Sequence, residues 1–179
     1  MNMYYLAILA PDDINKEALK WKNFFKEKYR TVVSLRSPAH ITLIPPFWMK
    51  ADLEKNIIDC INEFCKTSES FNIQLKNFSA FAPKTVFIDV LKSDKLEKIH
   101  SSLKNFIQSQ NKFPITDNKR VFHPHITLAT RDLRKKDFHE AWEIFLEKKY
   151  EANWTATGIS LLRHNKKNWD VIYTSQFSI

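Results

Sequence analysis

The segment AHITLIPPF at residues 39–47 decides the fold, because the HITL within it, residues 40–43, recurs at residues 125–128. The two copies belong to a longer register. KNF at residues 22–24 recurs as KNF at residues 104–106, an offset of 82 residues. Three additional residues then change the offset to 85, at which the two HITL segments coincide. A repeat kept in register over this length indicates an internal duplication.

Each half is predicted to contain a strand, a helix, a strand that carries HITL, a second helix and a final strand. Apolar residues at a spacing of two predict strands, and those at a spacing of 3.6 predict helices. The halves span roughly residues 1–81 and 82–179 of a single domain, and no linker rich in Gly, Ser or Pro divides them. The predicted strands lie at residues 3–9, 41–47, 71–81, 85–91, 121–129, near 152–162 and at 169–177, and the predicted helices at 12–29, 53–64, 96–106 and 138–145. The strand at 41–47 is expected to end at Pro45-Pro46.

The alternation of side chains along a strand places the polar residues of each motif on one face. His40 and Thr42 share a face, as do His125 and Thr127, while the isoleucine and leucine of each copy point to the opposite side. Two related halves packed about a pseudo-two-fold axis bring the two strands together across one cleft. The cleft then holds two imidazoles and two hydroxyls.

These four groups suit the chemistry of a phosphodiester. The unperturbed pKa of histidine lies near 6.5, so that one imidazole accepts a proton while the other donates one. In-line attack on phosphorus needs a base behind the nucleophile and an acid behind the leaving oxygen. Threonine hydroxyls hold the non-bridging oxygens. We therefore predict His40, His125, Thr42 and Thr127 as catalytic residues, with no metal and no cofactor required.

A metal site is the rival interpretation of the same residues. His123 and His125 share a strand face, and His40 lies across the cleft from them. No neighbouring carboxylate or cysteine completes the ligand set in the sequence. A single His-x-Thr is also common as an ordinary strand residue, and only the duplicated register favours function.

The composition excludes several classes of protein. Gly158 is the only glycine, which excludes Gly-rich phosphate loops. Two cysteines, Cys60 and Cys65, are too few for a four-cysteine zinc site, and their spacing on a helix does not bring them face to face. They indicate reduced thiols and a cytoplasmic location.

The charge balance favours a partner that carries phosphate. Twenty-eight basic residues against twenty acidic ones give a net charge of +8, which attracts anions such as RNA or nucleotides. No segment is apolar over a length that would span a membrane. The chain is expected to act as a monomer.

The paired motifs resemble those of the 2H phosphoesterase superfamily, in particular the 2′-5′ RNA ligase-like and cyclic phosphodiesterase-like proteins. The resemblance covers nearly the whole chain, including YYLAIL at residues 4–9 and FSAFAP at residues 78–83. It implies an α+β, bilobal fold in which two antiparallel sheets flank a central cleft, with helices on the outside. It also implies hydrolysis of 2′,3′-cyclic phosphates or 2′-5′ linkages, or ligation in reverse, with His40 and His125 as the acid/base pair.

One position departs from the family pattern. Many members carry an arginine five residues after the second histidine, where this chain has Thr130, and Arg131 follows one residue later. Arg131 is predicted to bind substrate, and its alternative role is that of a solvated residue after a strand. Phe47 and Trp48 are likewise predicted to stack on a base, and their alternative role is packing beneath the loop. The remaining histidines are expected at the surface; they are His100, His139 and His164.

The sequence thus predicts a metal-independent phosphoesterase acting on a 2′,3′-cyclic phosphate or 2′-5′ phosphodiester of RNA or a nucleotide. The alternative is a non-catalytic protein that binds RNA ends in the same cleft. The sequence leaves open which histidine is the acid.

Overall fold

The computed structural model describes residues 1–115 and 121–178 of the chain, which form two four-stranded antiparallel sheets with four α-helices. The strands are β1 (Asn2–Leu9), β2 (His40–Met49), β3 (Phe71–Phe81), β4 (Thr85–Val90), β5 (His125–Ala129), β6 (Glu151–Ala156), β7 (Gly158–His164) and β8 (Trp169–Gln176). The helices are α1 (Asp12–Tyr29), α2 (Glu54–Lys66), α3 (Asp94–Ser109) and α4 (Lys135–Leu146), and short 3₁₀ helices cover Val33–Arg36 and Ala51–Leu53. This architecture confirms the predicted α+β class.

Both strands that carry HITL are edge strands. The first sheet has the order β2-β1-β7-β8 and the second has the order β5-β4-β3-β6. β2 and β5 lie next to each other where the two sheets meet. This arrangement places the two motifs on opposite sides of one cleft.

The helices tie the two sheets into one core. α1 precedes β2 in the chain yet contacts β5 of the other sheet, and α3 precedes β5 yet contacts β2. α2 covers β7 and β8, while α4 covers β3 and β4. A single apolar cluster runs through both sheets, from Ile8 and Ile41 in the first to Ile88 and Ile126 in the second. Each half therefore depends on the other for burial of its apolar surface.

β2 continues through Pro45-Pro46 to Met49, which corrects the prediction that the strand ends there. A proline lacks the N–H that a central strand needs, but an edge strand has one side without a partner. Register shifts against β1 between Tyr4 and Ala7 show where the strand bulges around the prolines. The edge position of β2 thus allows a strand that the sequence rules disfavour.

The helices keep the residue offset of the internal repeat more closely than the strands do. α1 begins at Asp12 and α3 at Asp94, which keeps the offset of 82. Leu9 pairs with His40 and Asp89 pairs with His125, so the leading strands are offset by 80 residues instead. The two sheets also divide the chain differently from its sequence halves, since β3 joins the second sheet, and β7 and β8 join the first.

Two further element boundaries differ from the prediction. The strand expected at residues 121–129 begins only at His125. The region 152–162 contains two strands, β6 and β7, which belong to different sheets. Gly158 begins β7, where a Cβ would lie 2.2 Å from the carbonyl oxygen of Ser175 on β8. The only glycine of the chain thus permits a close approach of two backbones.

Among the residues described, no helix is both long and apolar enough to cross a membrane.

Candidate active site

The two HITL strands present their side chains as the alternation predicts. Ile41 and Leu43 of β2 are fully buried, as are the equivalent Ile126 and Leu128 of β5. The histidine and threonine of each motif are partly exposed on the cleft side. Each strand is thus anchored by its apolar residues and offers its polar residues to the cleft.

The rings of His40 and His125 are each held by a local hydrogen bond of the same kind. Nδ1 of His40 donates to the carbonyl oxygen of Pro38 at 2.8 Å, and Nδ1 of His125 donates to that of His123 at 2.7 Å. A carbonyl only accepts hydrogen bonds, so Nδ1 carries the proton in both rings. Nε2 of each neutral ring is then a proton acceptor, and Nε2 of each protonated ring is a donor.

Burial keeps both imidazoles neutral in the free protein. Desolvation lowers the pKa of His40 to about 4, and the positive charges of Lys22 and His125 lower it further. Burial also lowers the pKa of His125, with His123 adding to the effect. Because a charge on His125 reaches His40, protonation of one ring disfavours protonation of the other. The pair therefore suits a division into one acid and one base.

The residues before His40 are held by α1. Nζ of Lys22, which is only 3% exposed, donates to the carbonyl oxygen of Ser37 at 3.0 Å. The side-chain oxygen of Asn15 accepts from the backbone N–H of Ala39 at 2.7 Å. These contacts fix the segment whose Pro38 carbonyl orients the His40 ring. Lys22 is the lysine of the first KNF copy, a sequence signal that could have identified it.

A small cavity of about 150 Å³ lies on the His40 side of the site, and most of its lining residues carry a polar group. Thr42, Thr127 and Arg131 line it together with His40. Arg131 follows the end of β5 and is exposed, so its guanidinium stands at the rim of the cavity that holds both threonines. The substrate-binding role of Arg131 stays a prediction.

The same cavity contains groups that the sequence did not reveal. The Tyr5 ring lies 5.0 Å from that of His40 and 4.6 Å from that of Trp169, measured between centroids. The hydroxyls of Tyr5 and Ser34 are both buried in this cavity. Burial raises the pKa of Tyr5, so its hydroxyl stays protonated and available as a donor.

The 3₁₀ helix at Val33–Arg36, which forms one wall of this cavity, is held from the second half of the chain. One carboxylate oxygen of Asp132 accepts from the backbone N–H groups of Val32 at 2.6 Å and Val33 at 3.0 Å. Asp132 directly follows Arg131 in the loop after β5. The loop that carries the arginine is therefore fixed to the wall opposite it.

A larger cavity of about 570 Å³ opens on the His125 side and shares Thr42 with the smaller one. His100 lies in its wall, which corrects the expectation that this histidine is a surface residue. Its ring stacks on Phe122, with centroids 3.8 Å apart and planes 3° from parallel. His139 is exposed as expected, and His164 is half-buried with its ring 4.9 Å from that of Trp169.

Phe47 does not line either cavity, and the prediction that it stacks on a substrate base is corrected. Its side chain is 7% exposed and belongs to the main core, where its ring lies 6.2 Å from that of Tyr4. Register shifts in β2 leave Phe47 on the helix side of the sheet. Trp48, its neighbour, is 54% exposed on the other side.

The rival metal site gains one carboxylate but no complete ligand set. Asp89, opposite His125 in the β4–β5 pairing, lies 3.4 Å from Nε2 of His123. Within residues 1–115 and 121–178, no three histidine, cysteine or acidic side chains converge as a metal site requires.

Comparisons with known proteins agree with this fold. The sequence profile of the 2′-5′ RNA ligase superfamily matches residues 10–168. A protein of Bacillus pumilus named as a candidate phosphoesterase is 25% identical over 171 residues, which cover 86% of this chain and 94% of the relative. A similarly named protein of Oceanobacillus iheyensis is 26% identical over 140 residues, which cover 76% and 75%. The structure of E. coli LigT complexed with 3′-AMP matches the fold with a TM-score of 0.70 over 99% of both chains, at 16% identity.

Proposed function

The chain belongs to the 2′-5′ RNA ligase superfamily, and from that premise we propose that it is a metal-independent phosphoesterase that acts on a 2′,3′-cyclic phosphate or a 2′-5′ phosphodiester of RNA or a nucleotide. The names of its relatives in two bacilli support the phosphoesterase class. The net charge of +8 supports a substrate that carries phosphate.

The observation that carries the proposal is the matched state of the two histidines. Each ring donates from Nδ1 to a backbone carbonyl two residues earlier, so each directs Nε2 to the chemistry. One neutral imidazole accepts the proton of the attacking water or hydroxyl at Nε2. The other, protonated, donates from Nε2 to the oxygen that leaves phosphorus. One P–O bond forms and one breaks, and the two rings exchange their protonation states.

The negative charge of the substrate stabilises the protonated, proton-donating form of one histidine. Both histidines have a lowered pKa in the free protein, and a phosphate anion placed between them favours the imidazolium state by its charge. Mutual repulsion then limits the pair to one added proton. Which ring holds it depends on whether the substrate enters for hydrolysis or ligation.

The remaining polar groups hold the phosphate. Thr42 and Thr127 are assigned to the non-bridging oxygens, which their hydroxyls can reach from equivalent places on β2 and β5. Arg131 is assigned to the negative charge that develops on phosphorus, in the bidentate manner that guanidinium groups favour. Tyr5 and Ser34 offer further donors in the same small cavity.

The test is hydrolysis of nucleoside 2′,3′-cyclic phosphates and 2′-5′-linked dinucleotides with EDTA present. Wild type is compared with His40→Ala and His125→Ala, and the exposed His139→Ala serves as the matched control. We expect turnover in EDTA that falls at least about 100-fold in either site variant and is unchanged in the control. Turnover that EDTA abolishes would refute the metal-independent mechanism and support the site at His123 and Asp89.

A protein that only binds RNA ends gives a different result. It would show no turnover on any substrate, and its affinity for a 2′,3′-cyclic phosphate end would survive replacement of both histidines. That outcome would reject the enzyme.

A further inference from the structure

The two halves of the chain hold His40 and His125 by the same backbone contact but surround them with different charges. Pro38 and His123, whose carbonyl oxygens accept from the two rings, occupy equivalent positions at the offset of 85 residues. A proline side chain carries no charge, whereas a histidine ring titrates near neutral pH. The local scaffold is therefore duplicated, and its electrostatics are not.

A carboxylate lies beside His125. Asp89 is paired directly with His125 across β4 and β5, so the two side chains share the cleft face of the sheet. Side chains opposite each other in an antiparallel pair have their Cβ atoms about 4.5–5.5 Å apart. In the first sheet, the residue paired with His40 is Leu9. One histidine thus has an acidic cross-strand neighbour, and the other has an apolar one.

Asp89 also contacts His123, whose ring is held close to that of His125. Oδ1 of Asp89 lies 3.4 Å from Nε2 of His123. The Phe81 ring lies 5.1 Å from the His123 ring and 5.2 Å from the His125 ring, measured between centroids. For the Phe87 ring these distances are 5.6 and 4.9 Å. The two phenylalanines therefore pack against both imidazoles and keep them near the carboxylate.

The charged groups around the two catalytic candidates have opposite effects. Burial lowers the pKa of His125; a positive charge on His123 adds to this decrease, and the Asp89 carboxylate opposes it. Burial also lowers the pKa of His40, and the ammonium of Lys22 on α1 and a charge on His125 across the cleft both add to the decrease. The carbonyl that accepts from Nδ1 favours the protonated form of both rings, so it does not distinguish them. A proton that enters the pair is thus attracted to one ring and repelled from the other.

Resting on the proposed function, we propose that Asp89 and His123 are positioning residues that set the proton affinity of His125, and that the carboxylate assigns the proton of the pair to this ring. His125 is then the general acid of hydrolysis, and His40 is the general base. Nε2 of His40 accepts a proton from the attacking water as the new P–O bond forms. Nε2 of His125 donates its proton to the leaving oxygen as the old P–O bond breaks. Afterwards His40 releases its proton to solvent, and His125 takes one up.

The first test follows the imidazole NMR signals of His125 against pH in the free enzyme, with EDTA present. Asp89→Asn keeps the shape of the side chain and removes its charge, so the His125 midpoint should fall by about half a pH unit to one pH unit. His123→Gln keeps the backbone carbonyl and removes the positive charge, so the midpoint should rise. The two variants thus shift one midpoint in opposite directions, which a loss of local packing does not produce.

The second test measures kcat/KM for adenosine 2′,3′-cyclic phosphate across the same pH range. Above the His125 midpoint the rate follows the protonated fraction, so Asp89→Asn should lower kcat/KM by roughly three- to tenfold there and by much less below the midpoint. Asp89→Glu keeps the charge and should restore most of the activity. Asp59→Asn removes an exposed carboxylate on α2 and should keep the wild-type profile.

Several outcomes would overturn the inference. They are an unchanged His125 midpoint in Asp89→Asn, a shift in the same direction in Asp89→Asn and His123→Gln, and a wild-type titration in which His40 takes up the first proton. If Asp89→Asn does not fold, the rise expected in His123→Gln decides the matter. The NMR titrations do not depend on turnover. An absence of turnover by wild type, with the expected shifts of the midpoint, would therefore reject the proposed function and not the effect of the two residues on His125.

Discussion

Replacement of Lys22 by methionine should make the protein more stable and less active. The ammonium group is buried beneath the first motif, and its single hydrogen bond there goes to the Ser37 carbonyl. Burial lowers the pKa of Lys22 from 10.5 to about 8. A shift of that size corresponds to about 3 kcal/mol of unfavourable free energy for the charged form in the folded state.

The sign of the pH effect follows from proton binding. Between pH 8 and pH 10.5 the unfolded chain holds a proton on Lys22 that the folded chain has released, so the free energy of unfolding rises with pH. From pH 7 to pH 10 this one group contributes a rise of about 2–3 kcal/mol. At pH 7 the full unfavourable term is present, and methionine removes it.

Part of that gain is offset by the hydrogen bond that methionine cannot make. A carbonyl left without its donor costs about 1–3 kcal/mol. The net stabilisation of Lys22→Met at pH 7 is therefore about 0–2 kcal/mol. Turnover should fall, because the segment that orients His40 loses one of its two side-chain contacts from α1.

The measurement is urea unfolding at pH 7 and pH 10 for wild type, Lys22→Met and Lys26→Met. Lys26 is exposed on the same helix and serves as the control. Other groups that titrate in this interval contribute equally to all three proteins. The rise from pH 7 to pH 10 should be smaller by about 2–3 kcal/mol in Lys22→Met alone. A rise equal to that of wild type, or a loss of more than about 3 kcal/mol at pH 7, would refute this account of the buried charge.

Two further predictions concern the site and the core. For the free enzyme, kcat/KM should peak below pH 6.5 and decline above it, because the pKa of His125 is lowered and that of His40 lies at about 4. The maximum of kcat should lie at higher pH, since the bound phosphate favours the imidazolium. A kcat/KM that rises from pH 6.5 to pH 8 contradicts this prediction. Phe47→Ala should lower the free energy of unfolding by about 3–5 kcal/mol and leave KM nearly unchanged, whereas Trp48→Ala at the exposed neighbour should change stability by less than about 0.5 kcal/mol. Thermal denaturation and steady-state kinetics measure the two effects. A rise in KM specific to Phe47→Ala would instead show that Phe47 contacts the substrate.

The sequence alone predicts those structural features that depend on a local pattern of residues. The alternation within HITL correctly predicted which side chains face the cleft, because the period of a strand is fixed by its own backbone. The periodic apolar residues between Asp12 and Tyr29 predicted α1 with its observed bounds. The duplicated register correctly indicated that the two motifs meet.

The sequence was insufficient where a residue's surroundings come from distant parts of the chain. Tyr5 and Trp169 join the small cavity only because β1 and β8 flank β7 in one sheet, a pairing that no local pattern specifies. The role of Phe47 depended on bulges in β2, and the place of His100 depended on its stack with Phe122. The cavities around the motifs are therefore products of topology, while the motifs themselves are products of local sequence.

The strand order also has a consequence for biosynthesis. All four strands of the second sheet come from one stretch of chain, between Phe71 and Ala156, whereas the first sheet combines the first strands to be made with the last two. Domains emerge from the ribosome N-terminal end first, so β1 waits for β7 with one hydrogen-bonding edge uncovered, a state prone to aggregation. Translation that ends before residue 158 would yield a chain that has both HITL segments but lacks two strands of the first sheet. The first sheet, and with it the cleft between the two HITL strands, is therefore complete only after β7 and β8 have been synthesised.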